Sequence, residues 1–230
     1  MTDTPKIFCA IDTADLEHGC ALAAAIAPVT GGIKLGLEFF NNFGPQGIER
    51  VLQSAPQAQL FIDLKFHDIP NTVAGAVRGI CHHFAPAYLN VHASGGAAMM
   101  AAAADACGAD TKLLAVTILT SLDAQAIGDI GYRDDVAAQV ERLALLTKKS
   151  GLDGVVCSAH EIERLRAVCG EGFALMVPGI RPAGAAQGDQ KRVMTPKEAL
   201  DKGATHLVIG RPITQSPDPA QAAADILRDL

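Results

Sequence analysis

Short apolar runs recur along the chain, separated by longer Ala- and Leu-rich segments. Eight runs stand out, over residues 7–12, 32–37, 60–66, 88–92, 113–119, 154–158, 174–179 and 206–210. A strand with one wet face alternates apolar and polar positions. These runs are nearly continuous, as expected of strands buried on both faces of a parallel sheet that helices cover. Eight strand–helix units in 230 residues predict a single (β/α)8 TIM barrel, one catalytic domain over residues 1–230. An open, doubly wound sheet is the alternative reading of the same alternation.

Helix-start signals agree with this register. Thr13 precedes a segment over 14–27, and Thr72 begins one that runs to Phe84. Thr195-Pro196 sets a capping hydroxyl ahead of a proline at the first helical position. No linker or low-complexity segment divides the chain, since the Gly/Ala-rich stretch 181–188 is too short for one and follows the seventh strand.

Composition narrows the class of protein. The chain is 49% hydrophobic and 19% charged, the balance of a well-buried globular domain. No stretch reaches the ~18 uninterrupted apolar residues that a membrane span needs. The amino terminus lacks the basic and apolar regions of a secretory leader, so a cytoplasmic location is expected. A net charge of −6, with 19 Lys and Arg spread along the chain, argues against a nucleic-acid surface. The six cysteines, Cys9, Cys20, Cys81, Cys107, Cys157 and Cys169, form no C-x-x-C pair and read as structural.

One segment breaks the apolar logic. In Asp63-Leu64-Lys65-Phe66-His67-Asp68-Ile69-Pro70-Asn71-Thr72, charges gather at the end of a strand that should avoid them. Alternation along a strand points Asp63 and Lys65 the same way, roughly 7 Å apart at the backbone. A salt bridge plugging the strand end is the plain alternative. In a barrel, however, the carboxyl ends of the strands carry the active site, and polar residues collect at those ends throughout the chain. Asp12 closes strand one, Lys34 lies in strand two, and Asp63 and Lys65 close strand three. His92 closes strand four, Thr120 follows strand five, Arg181 follows strand seven, and Gly210-Arg211 closes strand eight.

Two functions follow from the residue types. Val208-Ile209-Gly210-Arg211-Pro212 offers a glycine for close backbone approach and a guanidinium for a charge-assisted fork, and with Arg181 and Gln190 it forms a candidate phosphate clamp. The loop 181–192 between these groups reads as a lid. Lys34, Asp63, Lys65 and Asp68 alternate cation and anion. A lysine held among carboxylates suits proton delivery to a carbanion, and a carboxylate beside a substrate carboxylate raises the ground state that loses CO2. Asp63 and Asp68 could instead hold Mg2+, although Lys65 lies between them and no His or Glu pattern completes a shell.

These residues carry a resemblance. The segment 63–72, with Ala10-Ile11-Asp12, Ile33-Lys34-Leu35-Gly36, Val91-His92-Ala93-Ser94, Leu119-Thr120-Ser121, Pro178-Gly179-Ile180-Arg181, Asp189-Gln190 and Val208-Ile209-Gly210-Arg211, resembles the short bacterial orotidine 5′-monophosphate decarboxylases from end to end. The resemblance implies cofactor-free conversion of orotidine 5′-monophosphate (OMP) to UMP and CO2 in pyrimidine nucleotide synthesis, with no metal. It implies Lys65 as proton donor to C6, Asp63 against the leaving carboxylate, and a network of Lys34, Asp63, Lys65 and Asp68. Asp12 and Lys34 would bind ribose hydroxyls, Thr120 the pyrimidine, and Arg181, Gln190, Gly210 and Arg211 the phosphate. Asp68 and Thr72 would reach into the neighbouring subunit's site in a homodimer, and His92 would be structural. Two rivals remain. One is an Mg2+-dependent 3-hexulose-6-phosphate synthase or 3-keto-L-gulonate 6-phosphate decarboxylase on the same scaffold, and the other is a silent UMP sensor.

Overall fold

The computed structural model describes residues 4–132, 135–182 and 194–230. The expected barrel is present. Its strands are β1 (Ile7–Ala10), β2 (Gly31–Gly36), β3 (Gln59–Phe66), β4 (Tyr88–His92), β5 (Lys112–Val116), β6 (Gly154–Val156), β7 (Ala174–Pro178) and β8 (His206–Ile209). They pair in parallel and in chain order, and β8 closes on β1 through Ile7↔Leu207 and Phe8↔Val208. The open-sheet alternative is thereby excluded. The surrounding helices are α1 (Leu16–Thr30), α2 (Leu37–Ser54), α3 (Pro70–Phe84), α4 (Gly96–Ala106), α5 (Ala124–Asp129), α6 (Val136–Lys149), α7 (Ile162–Cys169), α8 (Pro196–Asp201), α9 (Arg211–Thr214) and α10 (Pro219–Arg228).

Every residue of β1 and β8 is buried, which explains their unbroken apolar runs. Side chains on one face of the strands meet the helices, where Ile7, Cys9, Ile33, Ile62 and Leu89 join Ile26, Phe39 and Val77 in one cluster. Those on the other face fill the barrel, with Phe8, Phe61, Tyr88, Leu114 and Met176 among them. Toward the amino-terminal ends of the strands this filling is aromatic. There the Phe8 ring stands edge-on to Phe61, Tyr88 and His206 at centroid distances of 6.1, 5.4 and 5.7 Å. The His206 tautomer follows from its partners. The Pro5 carbonyl can only accept, so Nδ1 donates to it at 2.8 Å and Nε2 accepts from the Tyr88 hydroxyl at 2.7 Å. Burial pushes the His206 pKa down, which keeps this plug neutral. Closing one end this way leaves the other free for a site.

Several boundaries differ from the sequence reading. Helix α1 starts at Leu16, because Asp15 rather than Thr13 is the cap: Asp15 Oδ1 accepts from His18 N at 3.0 Å. Thr13 Oγ1 accepts from Asp15 N instead, shaping the turn before the helix. Helix α3 begins at Pro70, whose fixed φ suits the first helical position, so Thr72 lies inside the first turn rather than ahead of it. Strand β5 ends at Val116, not Leu119, although Thr117 N still donates to Val156 O at 3.2 Å. The expected cap at Thr195 is present as a capping box with Glu198.

Four cysteines, Cys9, Cys20, Cys157 and Cys169, are buried, as a structural role requires. Cys81 and Cys107 are half-buried, with their sulfurs 3.8 Å apart. The hydrogen bond from Cys107 pulls the Cys81 pKa down to about 6, while burial pushes Cys9 up to about 12. Since the thiolate is the nucleophile, limited iodoacetamide treatment at neutral pH should label Cys81 first, as read by peptide mass spectrometry. First labelling at Cys9 or Cys157 would contradict this assignment.

Candidate active site

At the carboxyl ends of the strands a cavity of about 730 Å3 opens, and Asp12, Lys34, Asp63, Lys65, Thr120, Arg181, Gly210 and Arg211 all line it. They arrive from β2 and β3 and from the segments that follow β1, β5, β7 and β8. Residues distant in the chain thus share one cavity.

The core of the site is an ion cluster built around Asp63. Lys65 Nζ lies 2.6 Å from Asp63 Oδ1, and Lys34 Nζ lies 3.2 Å from Oδ2, so each carboxylate oxygen meets an ammonium. Lys34 extends the chain of charges to Asp12 Oδ1 at 3.4 Å. Lys34 and Asp63 are buried, whereas the Lys65 side chain remains 26% exposed and that of Asp12 48%. The buried members therefore fix the position of a lysine that faces the cavity. Gly36 makes room for this arrangement, since a methyl group there would stand 2.8 Å from Lys34 Nζ and 3.2 Å from Asp12 Oδ1.

Burial and pairing oppose each other in this cluster. Burial works against the Lys34 ammonium, but the charges of Asp63 and Asp12 outweigh it and hold the pKa above the usual lysine value. Burial likewise works against the Asp63 carboxylate, yet Lys34 and Lys65, with hydrogen bonds from Lys65 and Asn90, bring its pKa below the ordinary aspartate value. A lowered acid contributes stability above its unfolded pKa and loses it as pH falls through the folded one. A raised base contributes below its unfolded pKa and loses it as pH rises through the folded one. The Lys34–Asp63 pair is consequently charged and stabilising across the whole range between ordinary aspartate and ordinary lysine titration.

A break in the β3–β4 ladder aims Lys65. Phe61 pairs with Tyr88 and Ile62 with Leu89, but the next register pair is Phe66↔Val91, so β3 carries extra residues between these points. Lys65 lies in this bulge with φ 52°, a left-handed conformation that costs a non-glycine residue on the order of 1–3 kcal/mol. Its backbone N–H donates to Asn90 Oδ1 at 2.8 Å, and Asn90 Nδ2 donates to Asp63 Oδ1 at 2.7 Å. Asn90 escaped the sequence reading. Its only signal was an amide inside an otherwise apolar strand, Tyr88-Leu89-Asn90-Val91.

Other sequence candidates are placed differently. Asp68 is exposed, its Oδ1 accepts from Ile69 N at 2.6 Å, and among the described residues it forms no ion pair. The chain thus brings together three members of the expected four-residue network, Lys34, Asp63 and Lys65. Thr72 is exposed in the first turn of α3. Arg181 is buried, with Nη1 donating to Ile180 O at 3.0 Å and its backbone N–H donating to Met194 O at 3.1 Å. His92 is half-buried beside His67, at a ring distance of 5.5 Å, and burial lowers its pKa. Gln190 and most of the expected lid over 181–192 lie outside the described residues. Both Asp63 oxygens are engaged by ammonium groups, and among the described residues no group of three or more His, Cys, Asp or Glu side chains could hold the Mg2+ considered from the sequence.

A closed (β/α)8 barrel with a buried ion cluster at the carboxyl rim has the architecture of a barrel enzyme. Comparison with known proteins identifies the group. Residues 5–226 match the Orotidine 5'-phosphate decarboxylase / HUMPS family, and the chain belongs to that family. It is 53% identical over 238 residues to the orotidine 5'-phosphate decarboxylase of Rhodospirillum rubrum, spanning 100% of this chain and 95% of that one. The enzyme of the same name from Pectobacterium atrosepticum is 50% identical over 234 residues, with 100% and 94% covered. The crystal structure of orotidine 5'-phosphate decarboxylase from Lactobacillus acidophilus superposes with a TM-score of 0.86 at 34% identity, covering 98% of this chain and 99% of that one. The chain is an enzyme of the carboxy-lyase class. No described helix is long and apolar enough to cross a membrane.

Removing one partner of a buried pair costs far more than removing both. Asp63→Ala leaves the buried Lys34 ammonium with only the half-exposed Asp12, 3.4 Å away, and should destabilise the fold by up to about 3–5 kcal/mol in urea unfolding. Adding Lys34→Met should recover much of that loss, and a double variant no more stable than Asp63→Ala would contradict the pairing.

Proposed function

We propose that this enzyme converts OMP to UMP and CO2, the last step of pyrimidine nucleotide synthesis, without metal or cofactor, as one catalytic domain in the cytoplasm. The observation that carries the reading is the Asp63 carboxylate, held ionised at a cavity wall with the Lys65 ammonium 2.6 Å away. The relatives named above carry the same activity in their names.

The chemistry is economical. Asp63 lies against the substrate carboxylate, and their like charges raise the energy of the bound ground state, which departure of CO2 relieves. The C6–carboxyl bond breaks and its electron pair stays on C6. Lys65 then donates a proton to that carbon, and solvent returns one to the lysine. Lys34 keeps Asp63 ionised throughout. Asp12 and Lys34 hold the ribose hydroxyls and Thr120 the pyrimidine, while Arg181, Gln190, Gly210 and Arg211 hold the phosphate. Binding energy from the phosphate, distant from the reacting carbon, supports the strained contact at Asp63.

Asp68 completes the network from a neighbouring copy, with Thr72, in a homodimer. Support comes from the segment itself: Asp68 and Thr72 are exposed, and Ile69 between them is 66% exposed, a large apolar side chain that a partner would cover.

The assay is the loss of orotidylate absorbance. Wild-type turnover should persist in excess EDTA, and activity that vanishes with chelator and returns with Mg2+ would favour a metal-dependent phosphosugar enzyme of the same family. Lys65→Ala should fold and lose roughly 100- to 10,000-fold or more in kcat. Near-normal turnover in that variant would remove Lys65 as donor. Arg211→Ala should lower kcat and raise KM together, and unchanged kinetics would remove Arg211 from the phosphate site.

A further inference from the structure

Asn90 is 0% exposed, in a strand whose neighbours Leu89 and Val91 are apolar, so a polar side chain there requires a reason. Its two ends serve two different catalytic groups. Oδ1 accepts the Lys65 N–H at 2.8 Å, which the bulge has removed from the regular β3–β4 ladder, and Nδ2 donates to Asp63 Oδ1 at 2.7 Å. The same Asp63 oxygen receives Lys65 Nζ at 2.6 Å. One amide therefore closes a ring that runs from the Lys65 backbone through Asn90 and Asp63 to the Lys65 ammonium.

The geometry points to Asn90 as a positioning residue for the reaction: it holds Lys65 in its left-handed backbone conformation and fixes the Asp63 rotamer, so that proton donor and carboxylate face the reacting carbon together. The role rests on the decarboxylase reading above. Among side chains of this length, only an amide supplies both an acceptor for the N–H and a donor for a carboxylate. Aspartate keeps the acceptor but turns a second carboxylate oxygen toward Asp63, and alanine loses both bonds. Asn90 does not line the cavity, so its loss should disturb the chemical step and spare substrate binding.

The test compares wild type, Asn90→Ala and Asn90→Asp in steady-state OMP turnover, with UMP binding by calorimetry and thermal melting alongside. Both variants should lose about 100-fold or more in kcat, comparable to removing one preorganised donor, with KM and UMP affinity nearly unchanged. The near-isosteric Asn90→Asp carries the test if Asn90→Ala fails to fold. A folded variant with normal kcat overturns the role. So does one whose kcat loss is matched by an equal loss of UMP affinity, because that pattern marks a collapsed site. A wild-type chain without OMP turnover overturns the decarboxylase reading itself and this role with it, whereas normal wild-type turnover isolates any failure to Asn90.

Discussion

A carboxylate clamped between two ammonium groups at the end of a buried strand governs the rest of this site. Burial works against the charge of both Lys34 and Asp63 where they lie. Together they stay ionised, and the second oxygen of Asp63 is left to hold Lys65. The Lys34–Asp63 pair therefore stays charged across the physiological pH range, and the Lys65 side chain beside it keeps 26% of its surface exposed. Local strain is part of the same arrangement. The left-handed backbone at Lys65 is tolerated because Asn90 and Asp63 engage both its N–H and its ammonium.

The barrel supplies what the clamp needs. Its amino-terminal end is filled by Phe8, Phe61 and Tyr88 around a neutral His206, which closes the interior below the site. Parallel strands bring Asp12, Lys34 and Asp63 to one rim, because β1, β2 and β3 are neighbours in the closed sheet. Gly36 then leaves space for the Lys34 ammonium to reach across to Asp12 and Asp63. The phosphate-binding candidates come from the adjoining arc, after β7 and β8, and β8 itself pairs with β1 in the closed sheet.

Much of this was legible in the residues. Continuous apolar runs revealed eight buried strands, and charges at the ends of those runs marked the rim, including the Asp63–Lys65 pair. Interactions beyond local periodicity were not legible. Alternation alone aligns Asp63 with Lys65, but their contact depends on a bulge that only the pairing of β3 with β4 defines. Asn90 looked like an ordinary strand residue because its partners lie 25 and 27 positions away. Asp15 displaced Thr13 as the cap of α1 because both residue types cap well and only the backbone path chooses between them. Asp68 shares a sequence segment with Asp63 but not its environment, since β3 ends at Phe66 between them and Asp68 lies on the exposed turn into α3.

The claim that Asp63 is held ionised by its two lysines can be tested directly by carbon-detected NMR titration of the aspartate carboxyl carbons, with Asp63 assigned from an Asp63→Asn sample. The Asp63 signal should stay at its ionised shift as pH falls through the ordinary aspartate range near 3.8, titrating only below it. Protonation of Asp63 at or above that ordinary value would contradict the account.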